Sequence, residues 1–372
     1  MTARRRRLGR VLSAALALVA LAFVVWVVPV RDRCWDPRAP ASTRVTVSRD
    51  AAGCVLHLKT GALRVDAPAC AALRCEPGVA STFERARPGM LAALLLLYGA
   101  GTLAWAARWR ALLGFAGIDL SLSRVWRVSI EAQAGGILLP GGIGGDALRI
   151  ASVAARPTRP GEARAPLAIV AASVLLDRAV GLSVIAAVAA ALGFAWGGLH
   201  AGPLAFALAS IPVVCLVGLV VLRRAPLHRV GWLTQGRVGR VAAPVLEYVR
   251  DPRASRAIAI ATAWSVVVAV VQFATIRGLV LSLGAAPTAE KWVYVGTAMA
   301  FIVGAIPALP GGWGTADAAY VFFLGLAGLS AGTALAVSLL YRLFWYLSGV
   351  AGAVLHMTRR RAVPSYDPST GE

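Results

Sequence analysis

The stretch Leu-Pro-Gly-Gly-Ile-Gly-Gly-Asp at 139–146 returns in altered form as Leu-Pro-Gly-Gly-Trp-Gly-Thr-Ala-Asp at 309–317. Each copy follows a short apolar run, at 125–139 and at 292–306. Because proline lacks a backbone donor and glycine tolerates unusual dihedral angles, each copy predicts a break between two helices. A single Pro-Gly-Gly stretch is equally typical of a kink or a surface turn. Two copies in corresponding places favour a structural repeat.

The repeat extends into the apolar segment that follows each break. The first segment contains Leu-Leu-Asp-Arg, ending at Arg178, and the second contains Leu-Leu-Tyr-Arg, ending at Arg342. Both arginines occupy the twelfth position of long apolar runs, at 167–193 and 331–356. Each half of the chain therefore predicts a short segment, a break and a spanning helix with a central arginine.

The composition excludes an ordinary soluble enzyme, because 58% of the 372 residues are hydrophobic and only 15% are charged. Lysine and arginine total 38 against 17 acids, a formal net charge of +21. Such an excess can indicate nucleic acid, but here the cations lie between long apolar runs. This arrangement is typical of the positive-inside rule and predicts an integral membrane protein with no nucleic-acid partner.

Apolar runs of about 20 residues, the length that crosses a bilayer core, define the candidate spans. They lie at 11–30, 90–107, 167–193, 203–222, 257–283 and 331–356. We interpret the first run as an uncleaved anchor rather than a signal peptide. The basic connectors then place both termini in the cytoplasm.

In this orientation the two broken segments enter from opposite faces of the membrane. The simplest interpretation is a pair of re-entrant helical hairpins related by an inverted repeat, as in many secondary transporters. A topology in which both broken segments span the membrane fully is the alternative. The expected fold is thus an all-α integral membrane protein with about six to eight transmembrane helices and two re-entrant or broken Pro-Gly-Gly hairpins.

Four parts of the chain follow from this interpretation. They are an N-terminal membrane anchor helix at 1–30, an extracytoplasmic cysteine-containing segment at 31–89, a transmembrane domain at 90–358 and a cytoplasmic tail at 359–372.

The segment 31–89 differs from the rest because it holds four of the five cysteines: Cys34, Cys54, Cys70 and Cys75. It also shows short β-type alternation at 44–47 and 54–58. An even number of cysteines outside the cytoplasm predicts two disulfides, and the sequence leaves all three pairings open. A metal site is the less favoured alternative, because four residues between the last two cysteines is a poor zinc spacing.

The two central arginines need compensation, since each costs roughly 2.5–3.5 kcal/mol at mid-membrane on insertion scales. One hypothesis is a set of ion pairs with Asp146, Glu131 or Asp317. The other is a phosphate clamp in which Arg178 and Arg342 approach each other and share an anionic lipid head group. The helix N-termini at the two breaks would add to that head-group site through their glycines, Gly141, Gly142, Gly311 and Gly312.

The acids near the breaks have alternative roles. Asp146 and Asp317 stand where helices are expected to start, so each could cap free backbone donors. They could also bind a proton, a cation or an amino group, and Glu131 is a further proton-carrier candidate. Arg277 lies near the outer end of its run and is expected to snorkel.

The sequence contains no Gly-x-Ser-x-Gly, His-Glu-x-x-His or P-loop motif, and its four histidines are scattered. We therefore expect a protein that is not an enzyme and that uses no cofactor and no metal.

Taken as a set, the two breaks and the two arginine helices resemble the transmembrane region of bacterial lysylphosphatidylglycerol synthases, a flippase-like family. The likeness covers roughly 90–356. It implies a bacterial inner-membrane protein that moves a lipid, either an anionic phospholipid or a polyprenyl-phosphate-linked lipid, between leaflets. The sequence to Glu372 leaves no room for the soluble domain that makes the aminoacyl lipid, so we expect a stand-alone member.

Two departures from the family pattern leave the substrate open. One is the cysteine-bearing segment, and the other is Asp317, where many members have glutamate. The competing hypothesis is a membrane enzyme, or an accessory subunit, of a polyprenyl-phosphate-dependent glycosyl or aminoacyl lipid pathway. The lack of an acidic metal-binding pair favours the flippase. The sequence does not determine the lipid, the energy source, the direction of transport or whether the chain forms a homo-oligomer.

Overall fold

A computed structural model describes residues 22–35, 45–50, 53–58, 61–66, 68, 70, 73–138, 143–155, 165–195, 203–224, 249–305 and 313–362. The Pro-Gly-Gly motifs lie outside these ranges, and so does most of the predicted anchor helix 1–30.

Helices account for most of the described chain. In order they are α1 (Val79–Glu84), α2 (Pro88–Phe115), α3 (Leu122–Leu138), α4 (Ile143–Ala154), α5 (Leu167–Ala195), α6 (Pro203–Arg224), α7 (Ala254–Ser282), α8 (Lys291–Gly304), α9 (Thr315–Leu326) and α10 (Ala331–Ala362). A further helical stretch covers 22–27.

Four helices in the described ranges are long and apolar enough to cross a membrane. They are Pro88–Phe115, Leu167–Leu192, Ala254–Ser282 and Ala331–Met357. These helices coincide with four of the six predicted spans. The predicted span 203–222 lies within α6, a helix of 22 residues that contains Pro212. The predicted span 11–30 lies mainly outside the described residues.

Each broken segment consists of two short helices that pack against each other, α3 with α4 and α8 with α9. Even the longest of the four, α3, has 17 residues, so it rises only about 26 Å, less than the roughly 30 Å of a hydrocarbon core. Glycine allows the close packing. A Cβ at Gly145 would lie 2.9 Å from the Ala132 carbonyl oxygen, and one at Gly296 would lie 2.7 Å from the Cβ of Phe323.

The chain divides into two compact units, and each break lies in a different one. The first-break unit comprises 99–187, 209–269 and 343–372. The second-break unit comprises 1–98, 188–208 and 270–342. In the first-break unit, a buried apolar cluster that includes Trp109 of α2, Val125 of α3, Val153 of α4 and Val170 of α5 joins four helices.

The second-break unit also contains a five-stranded antiparallel sheet. Its strands are β1 (Arg33–Trp35), β2 (Val45–Asp50), β3 (Gly53–Leu58), β4 (Gly61–Asp66) and β5 (Arg74–Glu76), in the order β4-β3-β2-β1-β5. Strands β2 and β3 lie where the sequence alternates between polar and apolar residues. The expected all-α class therefore fits the helical part of the chain and omits this sheet.

Two disulfides hold the sheet together. The first joins Cys34 to Cys75, which are Cα partners on neighbouring strands, and the second joins Cys54 of β3 to Cys70. Cys34, Cys54 and Cys70 are buried with Val47 in the small core of the sheet. Because so small a core buries little apolar surface, the cross-links carry much of its stability.

We expect Cys54→Ala/Cys70→Ala to destabilise the sheet by roughly 3 kcal/mol, because the cross-link restricts the unfolded chain over a 16-residue separation. Hydrogen exchange at β2–β4 measures the change. Cys215→Ala, at a free cysteine on α6, is the matched control and should leave exchange in the sheet unaltered. Four free thiols by mass spectrometry of the non-reduced protein would contradict both cross-links.

Candidate functional site

In the first-break unit, Arg178 of α5 forms an ion pair with Asp146 in the first turn of α4. The Nε of Arg178 donates a hydrogen bond to Oδ2 of Asp146. Both side chains are partly exposed, Arg178 by 34% and Asp146 by 21%. The central arginine of the first half thus contacts the acid that follows the first break.

Beside this pair lies a buried arrangement of two arginines around Asp177. Arg108 of α2 donates from Nε to Oδ1 over 2.7 Å and from Nη2 to Oδ2 over 3.1 Å. Arg149 of α4 donates from Nη1 and Nη2 to Oδ2, each over 3.1 Å. Asp177 is adjacent to Arg178 in sequence but points elsewhere on the helix, so the two residues serve different partners.

Aromatic and small residues shape the pocket around these guanidiniums. The guanidinium of Arg149 lies 4.0 Å from the ring centre of Trp109 and 4.8 Å from that of Trp105, both on α2. Such cation–π contacts favour a cation in a site that excludes water. A Cβ at Gly181 would lie only 2.6 Å from Nη1 of Arg108, so glycine makes room for that side chain.

The two groups form one continuous chain of charges, because Arg149 Nη1 also lies 3.9 Å from Oδ1 of Asp146. The order is Arg108, Asp177, Arg149, Asp146 and Arg178, with alternating sign. The first three side chains are buried, with Arg108, Asp177 and Arg149 exposed by 7%, 1% and 2%, whereas Asp146 and Arg178 are partly exposed. We call these five residues the charge chain.

In the second-break unit, Asp317 receives three donors. Arg342 of α10 donates from Nη2 to Oδ1 over 2.8 Å, and Ser338 donates to the same oxygen over 2.6 Å. The backbone N–H of Gly314 donates to Oδ2 over 2.9 Å. Gly314 has a φ of 78°, a left-handed conformation that favours glycine. Asp317 therefore caps the start of α9 and holds α10 through Arg342.

This second pair is more deeply enclosed than the first. The side chains of Arg342 and Asp317 are 6% and 3% exposed, and the guanidinium lies 4.2 Å from the ring centre of Trp313. In both halves, the acid after the break is bonded to the central arginine of the next long helix. Each central arginine thus contacts an acid that the ion-pair hypothesis names, Asp146 for Arg178 and Asp317 for Arg342. The shared head-group site between Arg178 and Arg342 stays a prediction.

The other predicted residues lie in three places. Glu131 of α3 contacts His356 of α10, with Oε2 and Nδ1 3.0 Å apart. Arg277 donates to Glu290 through bonds of 3.0 and 2.9 Å, and its snorkelling stays a prediction. Gly141, Gly142, Gly311 and Gly312 lie outside the described residues.

Sequence reasoning missed Arg108, Arg149 and Asp177 as site residues. It assigned the two arginines to basic cytoplasmic connectors, but they belong to α2 and α4 and are buried. The available signal was Asp177 itself, since an acid inside an apolar run requires a cationic partner. Across the described ranges, no group of three or more histidine, cysteine or acidic side chains could hold a metal ion.

A family model described as the lysylphosphatidylglycerol synthase TM region matches residues 78–352 of the 372. The match begins just after the disulfide-bonded sheet and includes both breaks and both central arginines. No curated protein matches the chain, and no solved structure matches it.

Proposed function

The chain belongs to the lysylphosphatidylglycerol synthase TM-region family, and from this premise we propose that this multi-pass membrane protein is a lipid flippase or transporter. Its substrate is an anionic phospholipid or a polyprenyl-phosphate-linked lipid, which it moves between leaflets. We place it in the bacterial inner membrane with both termini in the cytoplasm, as the distribution of cations favours.

The half-exposed ion pair between Arg178 and Asp146 is the observation that carries this proposal. Arginine binds phosphate through two parallel hydrogen bonds, so a lipid phosphate can replace a carboxylate as its partner. An exposed charge in an apolar helix is costly unless it pairs with an opposite charge or lines the path of a ligand. We therefore assign head-group contact to Arg178 first, because Arg342 is 6% exposed against 34% for Arg178.

The two pairs of short helices support a transport role. We propose that each hairpin is re-entrant, because α4 and α9, with 12 residues each, rise only about 18 Å. In transporters with inverted repeats, such broken helices surround a substrate site near the midplane.

We expect purified protein in liposomes to move at least one lipid from a panel of anionic and polyprenyl-phosphate lipids, and Arg178→Gln to lower that rate at least tenfold. The variant loses the guanidinium fork that binds phosphate. Arg178→Lys should recover little, because lysine keeps the charge without the fork. A leaflet-specific quenching assay measures the rate.

Arg277→Gln is the matched control, because it removes an arginine of an apolar helix that is bonded to Glu290 and lies outside the charge chain. It should move lipid at the wild-type rate. Normal transport by folded Arg178→Gln would contradict the head-group role of Arg178. Folded wild-type protein that moves no lipid of the panel would contradict the transport function and favour an enzyme or an accessory subunit.

A further inference from the structure

We infer that Arg149 is a positioning residue of the head-group site: it takes over the carboxylate of Asp146 when an anionic phosphate group binds Arg178. The inference rests on the proposed function, which puts the phosphate at Arg178. It adds a second role for a buried arginine that already serves Asp177.

Asp146 lies between two guanidiniums. Its Oδ2 accepts a hydrogen bond from Arg178, and its Oδ1 is 3.9 Å from Nη1 of Arg149. The second distance is beyond a hydrogen bond, so Arg149 attracts the carboxylate without yet bonding it. A shift of about 1 Å would bring the carboxylate within bonding distance of Arg149.

Phosphate binding at the Nε edge of Arg178 requires such a transfer. A phosphate that bonds Nε and the neighbouring Nη takes the donor that Asp146 now holds, so it displaces that carboxylate. In an apolar segment an ionised carboxylate without a cation is strongly disfavoured. With Arg149 beside it, Asp146 exchanges one arginine for another, so the cost of displacing that carboxylate is the difference between two ion pairs.

Arg149 has the capacity for a second carboxylate. Among the described residues, its Nε has no hydrogen-bond acceptor, although the side chain is buried. Asp146 and Arg149 are three residues apart on α4, so their side chains share one face of that helix. The contact with Trp109 fixes the plane of the guanidinium. Nη1 donates to Asp177 and is also the nitrogen 3.9 Å from Asp146, so its second N–H can serve that carboxylate.

A double-mutant cycle tests the exchange. The dissociation constants of dihexanoyl phosphatidylglycerol and of inorganic phosphate are measured for the full chain in detergent micelles. Arg149→Gln should weaken binding roughly tenfold in the wild-type background and leave it unchanged in Asp146→Asn, where no carboxylate needs a new partner. Equal weakening in both backgrounds would overturn the inference, because a purely structural role of Arg149 does not depend on Asp146.

Arg108→Gln is the matched control, because it also removes one guanidinium from Asp177 but has no contact with Asp146 among the described residues. Its effect on binding should be the same with and without Asp146. Coupling seen with phosphatidylglycerol alone identifies a lipid head group as the ligand, and coupling seen also with inorganic phosphate identifies a general phosphate site.

Asp146→Asn alone keeps the inference testable if Arg149→Gln fails to fold. Removing the competing carboxylate should tighten binding at least threefold, and weaker binding would overturn the exchange, because Asp146 would then contact the ligand directly. Failure of the proposed function gives a different result. If residues 146 and 149 are coupled but the protein moves no lipid, the exchange stands and the proposed transport function is wrong. If the protein moves lipid but the two residues are not coupled, only the exchange is wrong.

Discussion

Asp177→Asn is expected to lower the free energy of unfolding by about 3–5 kcal/mol, the cost of removing one partner from a buried ion pair. The change leaves Arg108 and Arg149 facing each other without the carboxylate that accepts four of their hydrogen bonds. Both guanidiniums are buried, so water cannot replace that carboxylate. Unfolding in mixed micelles with increasing SDS, followed by tryptophan fluorescence, measures the loss.

Asp146→Asn is the control for this experiment, since it neutralises the other acid of the charge chain at a half-exposed position. It should cost less than Asp177→Asn, because Arg178, which loses its carboxylate, is 34% exposed, whereas Arg108 and Arg149 are buried. An equal loss for the two variants would contradict the claim that the buried end of the chain is structural and the exposed end is available to a ligand.

The pairs of short helices and the long helices could be predicted from the sequence, because the residue patterns that indicate them are local. Proline and glycine at 140–142 and 310–312 interrupt apolar runs wherever those runs lie in the fold. The four long helices follow from about 20 apolar residues in a row. Features with a local cause can therefore be predicted without knowledge of the tertiary structure.

The charge chain could not be predicted from local sequence patterns. Arg108 directly follows an apolar run and Arg149 lies between two such runs, so the positive-inside rule counts both as connector charges. Only the packing of α2, α4 and α5 brings them to Asp177. The cysteine pairing has a similar cause, because the partnership of Cys34 with Cys75 depends on the register of β1 and β5.

In both halves the central arginine contacts the acid that follows the break, but the residue before the arginine differs. Asp177 precedes Arg178, and Tyr341 precedes Arg342 at the corresponding position. Tyr341 makes edge-on contacts with Tyr98 and Phe301, at centroid distances of 5.7 and 5.5 Å. The first half thus stabilises its arginine helix through buried charges and the second through aromatic packing. This difference predicts that the two central arginines respond differently to substitution.

Arg342→Gln should destabilise the fold by about 3–4 kcal/mol, whereas Arg178→Gln should affect mainly transport. Without Arg342, the buried carboxylate of Asp317 has two partners among the described residues, Ser338 and the Gly314 N–H. Neither of them carries a charge that balances the carboxylate. Asp317→Asn/Arg342→Gln removes both charges and should recover much of the loss, because no unpaired charge remains. Arg277→Gln, at a partly exposed ion pair, should cost at most about 1 kcal/mol.

Unfolding in mixed micelles with increasing SDS, combined with the leaflet assay, separates the two possible roles of Arg342. Low stability in Arg342→Gln and its recovery in the double variant assign the arginine to the packing of α10 on α9. If Arg342→Gln is as stable as the wild type but moves no lipid, that assignment is wrong. Arg342 then acts on the lipid itself, as the phosphate-clamp hypothesis requires, and its burial reflects a closed state of the site rather than a structural ion pair.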